Sequence, residues 1–444
     1  MNISKYAFNL LAISSLFSLE ASPAAQIFSS SRETTSPIIN PQGAALFTYV
    51  NESTIEDENV FLQVVGINPK TGIQCFVIYD TQANPSYYDV VEEVDSRNYA
   101  FPLAYFPLST QETGRMIYLP QLDGGRIYTS IDEKIIFLVV ENDKEEWTIC
   151  APNPLNPSDP NKNIVWDKTE YTVDATTVFI NPTAVDNFSL PLFCKEIGND
   201  GTSQSGGLMV SRQTVFTNAE NIFLQAGAPW DQLLPKIPSL IYSPMYGSAT
   251  GIFPQDLFIT SGWIDAFIKI FSTSALQIDA EESLPINLGG GIWQGIIEAA
   301  TNKITFVRNV DETHPPIPPV TLTLPTNTSE LIGGAGPSWD IEDGNALQAV
   351  FARNLSCAID TNTLTTITPL SQKYFKENSN LFYQKNDQMP EDLQFIDYYS
   401  KTLHSFGNHQ IYTIPYDDEL GQSGSASYTL QNFAGGTIKL GPLN

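Results

Sequence analysis

Short, largely apolar runs separated by polar turn residues dominate the first half of the chain. Val60-Phe-Leu-Gln-Val-Val65, Gln74-Cys-Phe-Val-Ile-Tyr79 and Arg126-Ile-Tyr-Thr-Ser-Ile131 are rich in β-branched and aromatic residues and are bounded by Gly, Pro, Asp or Asn. Short strands are predicted there. Lys134-Ile-Ile-Phe-Leu-Val-Val140 is the more strongly apolar run and predicts a further strand. Thr169–Val173, Val178–Asn181 and Val185–Leu190 read as three successive strands. Such a series from Ala44 to about Glu196 predicts a β-sandwich or barrel. The pattern changes after about Asp200, where Gly201 to Gly207 form a polar Gly/Ser loop. Trp263, Ile264, Phe267, Ile268 and Phe271 recur at helical spacing, as do Leu347, Val350, Phe351 and Leu355. Glu391–Ser405 is a third helical candidate. Residues 206–407 therefore read as a mixed α/β domain, and Ile411–Leu443 returns to strand character. No internal repeat is visible.

Composition narrows the partners. The 444 residues, 42% hydrophobic and 16% charged, are enough for two domains with sizeable cores. The formal net charge of −27 argues against nucleic acid and anionic membrane surfaces, where basic patches supply affinity. A neutral polysaccharide is compatible with it. Lys5, the apolar run Ala7–Leu19 and the small residues of Ser22-Pro-Ala24 read as a secretory signal over 1–24, cleaved after Ala24. A Ser/Thr-rich flexible lead is expected over 25–43, and a secreted monomer thereafter. No later stretch has about 18 uninterrupted apolar residues, so no membrane partner is expected. Cys75, Cys150, Cys194 and Cys357 permit two disulfides in an exported protein but contain no C-x-x-C pair. His314, His404 and His409 lack metal-ligand spacing, and no metal or cofactor is expected.

The candidate chemistry lies in two carboxylates sixteen residues apart, Glu170 and Asp186. Two carboxyl groups facing one groove are the minimal apparatus of glycoside hydrolysis. Glu170, Thr172 and Asp174 alternate at period two and would project from one strand face, although an isolated pattern of this kind is more often plain solvent exposure. If the three strands around the pair form a meander, the carboxylates stand about 9–10 Å apart, near the upper end of the range for inversion. Asp417 and Asp418 form a second acidic cluster, readable as a turn or as acceptors for sugar hydroxyls. Trp166, Phe179, Trp230, Trp293 and Trp339 are candidates to stack on sugars, and each is more often core. Gly289-Gly-Gly291 lacks the Lys-Ser/Thr end of a phosphate loop, and no Gly-x-Ser-x-Gly elbow is present.

Several motifs in order resemble one family. Gly125-Arg-Ile-Tyr128, Asn156-Pro-Ser-Asp-Pro-Asn161, Trp166-Asp-Lys-Thr-Glu-Tyr-Thr172, Val185-Asp-Asn-Phe-Ser-Leu-Pro191, Ala352-Arg-Asn-Leu-Ser-Cys-Ala358, Phe382-Tyr-Gln384 and Tyr412-Thr-Ile-Pro-Tyr-Asp-Asp418 resemble glycoside hydrolase family 64, the β-1,3-glucanases with a thaumatin-like domain. The likeness spans about 44–440, with few matching motifs over 206–330. It implies a mainly β thaumatin-like domain over 44–205, completed by C-terminal strands over 408–444. The mixed α/β insertion would form the other wall of a wide groove. It further implies hydrolysis of β-1,3-glucan with inversion and release of short oligosaccharides. Glu170 falls on the family's general acid and Asp186 on its general base. Thr172, Asp417 and Asp418 fall on groove-lining positions, while Asp174 and Phe179 depart from the Asn and Trp expected there. The rival expectation is a glucan-binding protein of the thaumatin-like kind that does not cut. Retention of both carboxylates and the large insert favours the enzyme.

Overall fold

The computed structural model describes residues 38–444, apart from 41–42, 111–112, 143–144, 154–155, 157, 235–239, 281–290, 311–316, 334–345, 365–368, 388, 407–410 and 415–425. The signal and most of the lead, His314, His409, Trp339, Asp417 and Asp418 therefore lie outside the described residues.

The first half is strands in close succession. They are β1 (Ala45–Asn51), β2 (Val60–Ile67), β3 (Gln74–Tyr79), β4 (Pro85–Asp89), β5 (Phe101–Pro102), β6 (Arg115–Leu119) and β7 (Leu122–Ile131). There follow β8 (Leu138–Glu141), β9 (Trp147–Cys150), β10 (Val165–Val173), β11 (Thr177–Thr183), β12 (Asn187–Phe188), β13 (Leu192–Gly198) and β14 (Ser203–Gly207). The mixed region begins with α1 (Arg212–Ala226), β15 (Ile241–Tyr242), α2 (Pro244–Ala249), α3 (Leu257–Thr260) and α4 (Trp263–Phe271). A small sheet of β16 (Leu276–Asp279), β17 (Ile292–Glu298), β18 (Lys303–Arg308) and β19 (Val320–Thr323) comes next. Then come α5 (Thr328–Gly333), α6 (Ala346–Asp360), α7 (Gln372–Glu377) and α8 (Tyr398–His404). The chain ends on β20 (Ala426–Thr429) and β21 (Phe433–Leu440).

Two sheets face each other. One has the order β14-β13-β21-β1-β6, and the other runs β20-β11-β10-β7-β2-β3-β4 with β5 beside β2. The last strand thus lies between β1, its parallel neighbour, and β13, its antiparallel one. Period-two burial explains the core between the sheets. Phe47, Ile117, Cys194 and Ile438 come from one sheet, and Leu62, Val77, Ile127, Tyr171 and Ile180 from the other. The Tyr49 hydroxyl crosses the core to Thr129 Oγ1 at 2.8 Å. Gly436 is required where the Phe47 ring lies on β21, because an added Cβ would sit 2.1 Å from a ring carbon.

A second apolar cluster covers part of the opposite face of the larger sheet. Val65, Phe76, Tyr128 and Trp166 pack there beneath Ile135, Phe137, Ile149 and Ile164. The mixed region has its own core. It takes Ala184 and Phe188 from the first half together with Phe223, Trp230, Trp263, Phe351 and Tyr399. Those shared residues tie the two regions together beside Asp186.

Some elements differ from the sequence expectation. In the apolar run Lys134–Val140, only Leu138 onward is strand. Ile135 and Phe137 are buried, but side chains satisfy the backbone of Ile136 and Phe137: Asn161 Oδ1 accepts from Ile136 N, Asn161 Nδ2 donates to Ile136 O, and Ser96 Oγ accepts from Phe137 N. Val185–Leu190 is not a third meander strand. Only Asn187–Phe188 pairs, and it pairs with β15. The meander behind the 9–10 Å separation is therefore absent. Glu391–Ser405 is helical only over a single turn at Glu391–Leu393 and then over α8, where Asp397 caps Ser400 N. Among the described residues, no disulfide joins Cys75, Cys150, Cys194 and Cys357. Helices α4 and α6 match their apolar stripes, with Trp263, Ile264, Phe267 and Phe271 buried in one and Leu347, Val350, Phe351 and Leu355 in the other.

One buried group gives a stability prediction. Glu196 on β13 points into the sandwich core, fully buried, and neither carboxyl oxygen has a hydrogen-bond partner within 3.5 Å. Burial pushes its carboxyl up to about 9, with the nearby Tyr428 N–H pulling weakly the other way. A carboxyl raised in the folded state stabilises the fold fully below the ordinary 4.5, and that contribution is lost as pH rises toward about 9. Glu196→Gln removes the titration. It should gain on the parent by up to about 1.4 kcal/mol per pH unit between those values. Denaturant midpoints at pH 5 and pH 8 check this, and parallel shifts in the two proteins would contradict it.

Candidate active site

β10 carries the site because its alternation splits two environments. Thr169, Tyr171 and Val173 are buried in the sandwich, while Lys168, Glu170 and Thr172 are half-buried on the other face. The ladder brings neighbours to that face: Arg126 of β7 lies opposite Glu170, Tyr128 opposite Lys168, Asn181 of β11 opposite Glu170, and Phe179 opposite Thr172. A bulge between Tyr171 and Val173 shifts the pairing with β7 at Thr172. Trp166 lies on the same face but is covered by the second apolar cluster, so the charged part of the face begins at Lys168.

Each candidate carboxylate has its own cation. Arg126 Nε donates to Glu170 Oε1 at 3.1 Å, and Lys168 Nζ donates to Asp186 Oδ2 at 2.5 Å. The side chains of Glu170 and Asp186 remain 29% and 26% exposed, enough to meet a ligand. The four charges form one cluster, because Arg126 and Lys168 each feel both carboxylates. Burial works against the charge of Asp186, but Lys168 and then Arg126 outweigh it and hold the carboxyl below its ordinary range. Burial likewise opposes the charge of Lys168, yet Asp186 and Tyr128 raise its ammonium above the ordinary value. Asp186 is thereby an ionised acceptor at neutral pH.

The loop holding Asp186 is pinned from both regions. Asp167, buried on the core side of β10, accepts from Ser189 N at 2.8 Å and Leu190 N at 3.0 Å through Oδ2, and from Lys168 N at 2.9 Å through Oδ1. Burial pushes its carboxyl up to about 7 against those three N–H groups. Arg212 of α1 donates to Ser189 O at 2.7 Å while stacking over Phe216. From the mixed region, Ser243 N donates to Asp186 O at 3.0 Å and the Tyr399 hydroxyl to Ala184 O at 2.5 Å. Ala184 N donates to Tyr412 O at 2.7 Å, beside the Thr183–Tyr412 bridge.

The expected site residues thus separate. Glu170, Asp186 and Thr172 come together. Asp174 does not continue the strand face: it is exposed in the turn after β10, where its Oδ1 accepts from Thr176 N, Thr177 N and the Thr176 hydroxyl. Asp417 and Asp418 lie outside the described residues. Trp166, Trp230 and Trp293 are core, and Phe179 is half-buried on the Glu170 face. Arg126, Lys168 and Asp167 went without a role in the sequence reading. Lys168 stands two positions before Glu170, so period two alone set it on the same face. Among the described residues, no group of three or more His, Cys, Asp or Glu is arranged to hold a metal.

A prediction follows for Lys168. Lys168→Met removes the attraction that keeps Asp186 ionised and leaves the burial that opposes it, so the Asp186 carboxyl rises. If Asp186 must be ionised for turnover, the acid limb of the kcat/KM profile moves to higher pH. An unmoved limb would contradict the pairing's role.

The chain matches the family model described as β-1,3-glucanase over residues 45–433. A glucan endo-1,3-β-glucosidase from Cellulosimicrobium cellulans is 30% identical over 156 residues, a match covering 33% of this chain and 26% of that protein. One from an Arthrobacter species matches to the same extent. The match therefore spans about a quarter of the length of these curated relatives. Among solved structures, a laminaripentaose-producing β-1,3-glucanase in complex with laminaritetraose aligns with TM-score 0.69 and 20% identity, covering 91% of this chain and 100% of that one. The β-1,3-glucanase domain from Clostridium beijerinckii aligns with TM-score 0.70 and 18% identity at the same coverage. These likenesses show the fold, and the family match reaches across both sheets and the mixed region. The chain belongs to the β-1,3-glucanases of glycoside hydrolase family 64.

Proposed function

We propose that this protein is a secreted, endo-acting hydrolase of β-1,3-glucan that works with inversion and releases short oligosaccharides. The observation that carries the reading is the shared charge cluster: Glu170 with Arg126 and Asp186 with Lys168, both carboxylates partly open, at the junction of the two regions. The β-sandwich is read as the thaumatin-like domain, and the mixed region as the opposite wall of a groove. Thr172 beside Glu170, with Asp417 and Asp418, would supply hydrogen bonds to sugar hydroxyls; the Asp174 carboxylate has its Oδ1 committed to its turn.

Asp186, ionised beside Lys168, takes a proton from a water approaching the far face of the sugar ring. Glu170 gives a proton to the departing glycosidic oxygen. A neutral glucan filling the groove excludes water and strengthens each interaction in the cluster.

The test is incubation with laminarin or curdlan. Soluble oligosaccharides are expected. Binding without release would favour the non-cutting alternative, and neither binding nor release would contradict both. Proton NMR of the first products separates the stereochemistry: inversion yields the α-anomer first, whereas an initial β-anomer would refute it.

A further inference from the structure

Trp166, Trp230 and Trp293 are consumed by the cores, which raises the question of which other aromatic surface faces the substrate. We propose that Tyr242 and Tyr246 form an aromatic sugar-binding subsite immediately beside Asp186; this rests on the reading of the cluster as a glucan site. Tyr242 belongs to β15 and pairs with Asn187, the residue after Asp186. The next residue, Ser243, donates its N–H to Asp186 O at 3.0 Å. Tyr242 is thereby tied through two backbone contacts to the segment that carries the candidate base.

The ring is only partly covered. On β12 and β15, Phe188 and Ile241 turn into the core of the mixed region, fully buried. Tyr242, paired with Asn187, packs part of its ring against the same core. Tyr242 stays half-buried, with no hydrogen bond at its hydroxyl among the described residues.

Tyr246 extends the surface. Its ring centroid lies 6.1 Å from that of Tyr242, with 36° between the planes. It stands in the first turn of α2, where Ser243 Oγ accepts from Tyr246 N at 3.1 Å and Pro244 starts the helix. Its hydroxyl donates to Asn153 Oδ1 at 2.6 Å, and the Asn153 N–H is held by Asp159 Oδ2 at 2.6 Å. A hydrogen bond thus runs from the mixed region to the loop before β10, and it fixes the Tyr246 ring. Beneath, Gly247 lets α2 sit close, since a Cβ there would lie 2.6 Å from Leu233.

Two rigid rings with apolar faces and polar tips suit a pyranose, whose axial C–H groups face a ring while its hydroxyls seek hydrogen bonds at the edge. The expected ligand is a glucose unit of a β-1,3-linked chain next to the bond being cut. A subsite of this kind holds substrate rather than the reacting atoms, so its loss should raise KM more than it lowers kcat.

The experiment uses the full chain carrying Glu170→Gln, so that the ligand survives, and measures laminarihexaose binding by calorimetry. Adding Tyr242→Leu, which keeps apolar bulk but removes the ring, should weaken binding about tenfold. Tyr242→Trp should restore it, which separates a stacking role from a folding defect. Hexaose affinity unchanged in the Leu variant, or lost equally in the Trp variant, would overturn the subsite. Cleavage of hexaose by the Glu170→Gln chain would overturn the acid assignment and leave the subsite standing on its binding result. Absence of hexaose binding in that parent would overturn both.

Discussion

Asp186→Asn should lower β-1,3-glucan turnover by about 10²–10⁴-fold, the range that a general base contributes. The amide is close in shape but cannot take the proton of the attacking water. Its loop should stay in place, because the anchors are backbone groups: Ser243 N on Asp186 O, and Asp167 on Ser189 and Leu190. Lys168 would lose a charged partner but keep Glu170 nearby. The variant should therefore fold like the parent, with a similar thermal midpoint and retained binding of laminarioligosaccharides. Rates on laminarin together with far-ultraviolet circular dichroism check this. Turnover within threefold of the parent would remove Asp186 from the mechanism.

Asp167→Ala should be the most damaging change to stability near the site. Asp167 is 4% exposed, and its carboxyl accepts from three backbone N–H groups. Each orphaned buried donor costs about 1–3 kcal/mol. Relaxation of the loop recovers part of that, so a loss of about 3–5 kcal/mol is expected, at the upper end for one substitution. The activity loss should exceed what unfolding alone explains at temperatures where the variant is folded. Freed from Asp167, the segment after Asp186 no longer holds its carboxylate against Lys168. Urea midpoints and kcat at low temperature give the two readouts. An unfolding free energy within about 0.5 kcal/mol of the parent together with full kcat would contradict the positioning role.

Much of the framework was legible because local pattern and tertiary need agree. The strands around Val60, Gln74 and Arg126 are short β-rich runs ended by turn residues, and α4 shows a wide apolar stripe that buries Trp263, Phe267 and Phe271. Where they disagree, burial misleads. Ile135 and Phe137 are as apolar as strand residues, but Asn161 and Ser96 replace a neighbouring strand. Helix α1 was missed because only Val215, Ala219 and Phe223 are buried, a narrow stripe in an otherwise polar run. The site was half legible. Glu170 is on the face that period two implies, and Asp186 reaches the same cluster by a bend and a two-residue ladder that no local pattern encodes. Arg126 pairs with Glu170 through sheet register, across 44 residues of chain, and register is a non-local property. Asp174 was misassigned to the strand because an Asp that starts a turn and an Asp that ends a strand look alike in sequence.

The roles assigned to the two carboxylates are tested most directly by separating bond cleavage from leaving-group protonation. β-Laminaribiosyl fluoride releases fluoride, which needs little help from an acid, whereas laminarin releases a sugar oxygen that does. If Glu170 is the acid and Asp186 the base, Glu170→Gln keeps most of its turnover on the fluoride while losing about 10²–10⁴-fold on laminarin, and Asp186→Asn loses both. Equal losses of the Glu170→Gln chain on the two substrates, or full activity on laminarin, would contradict the assignment.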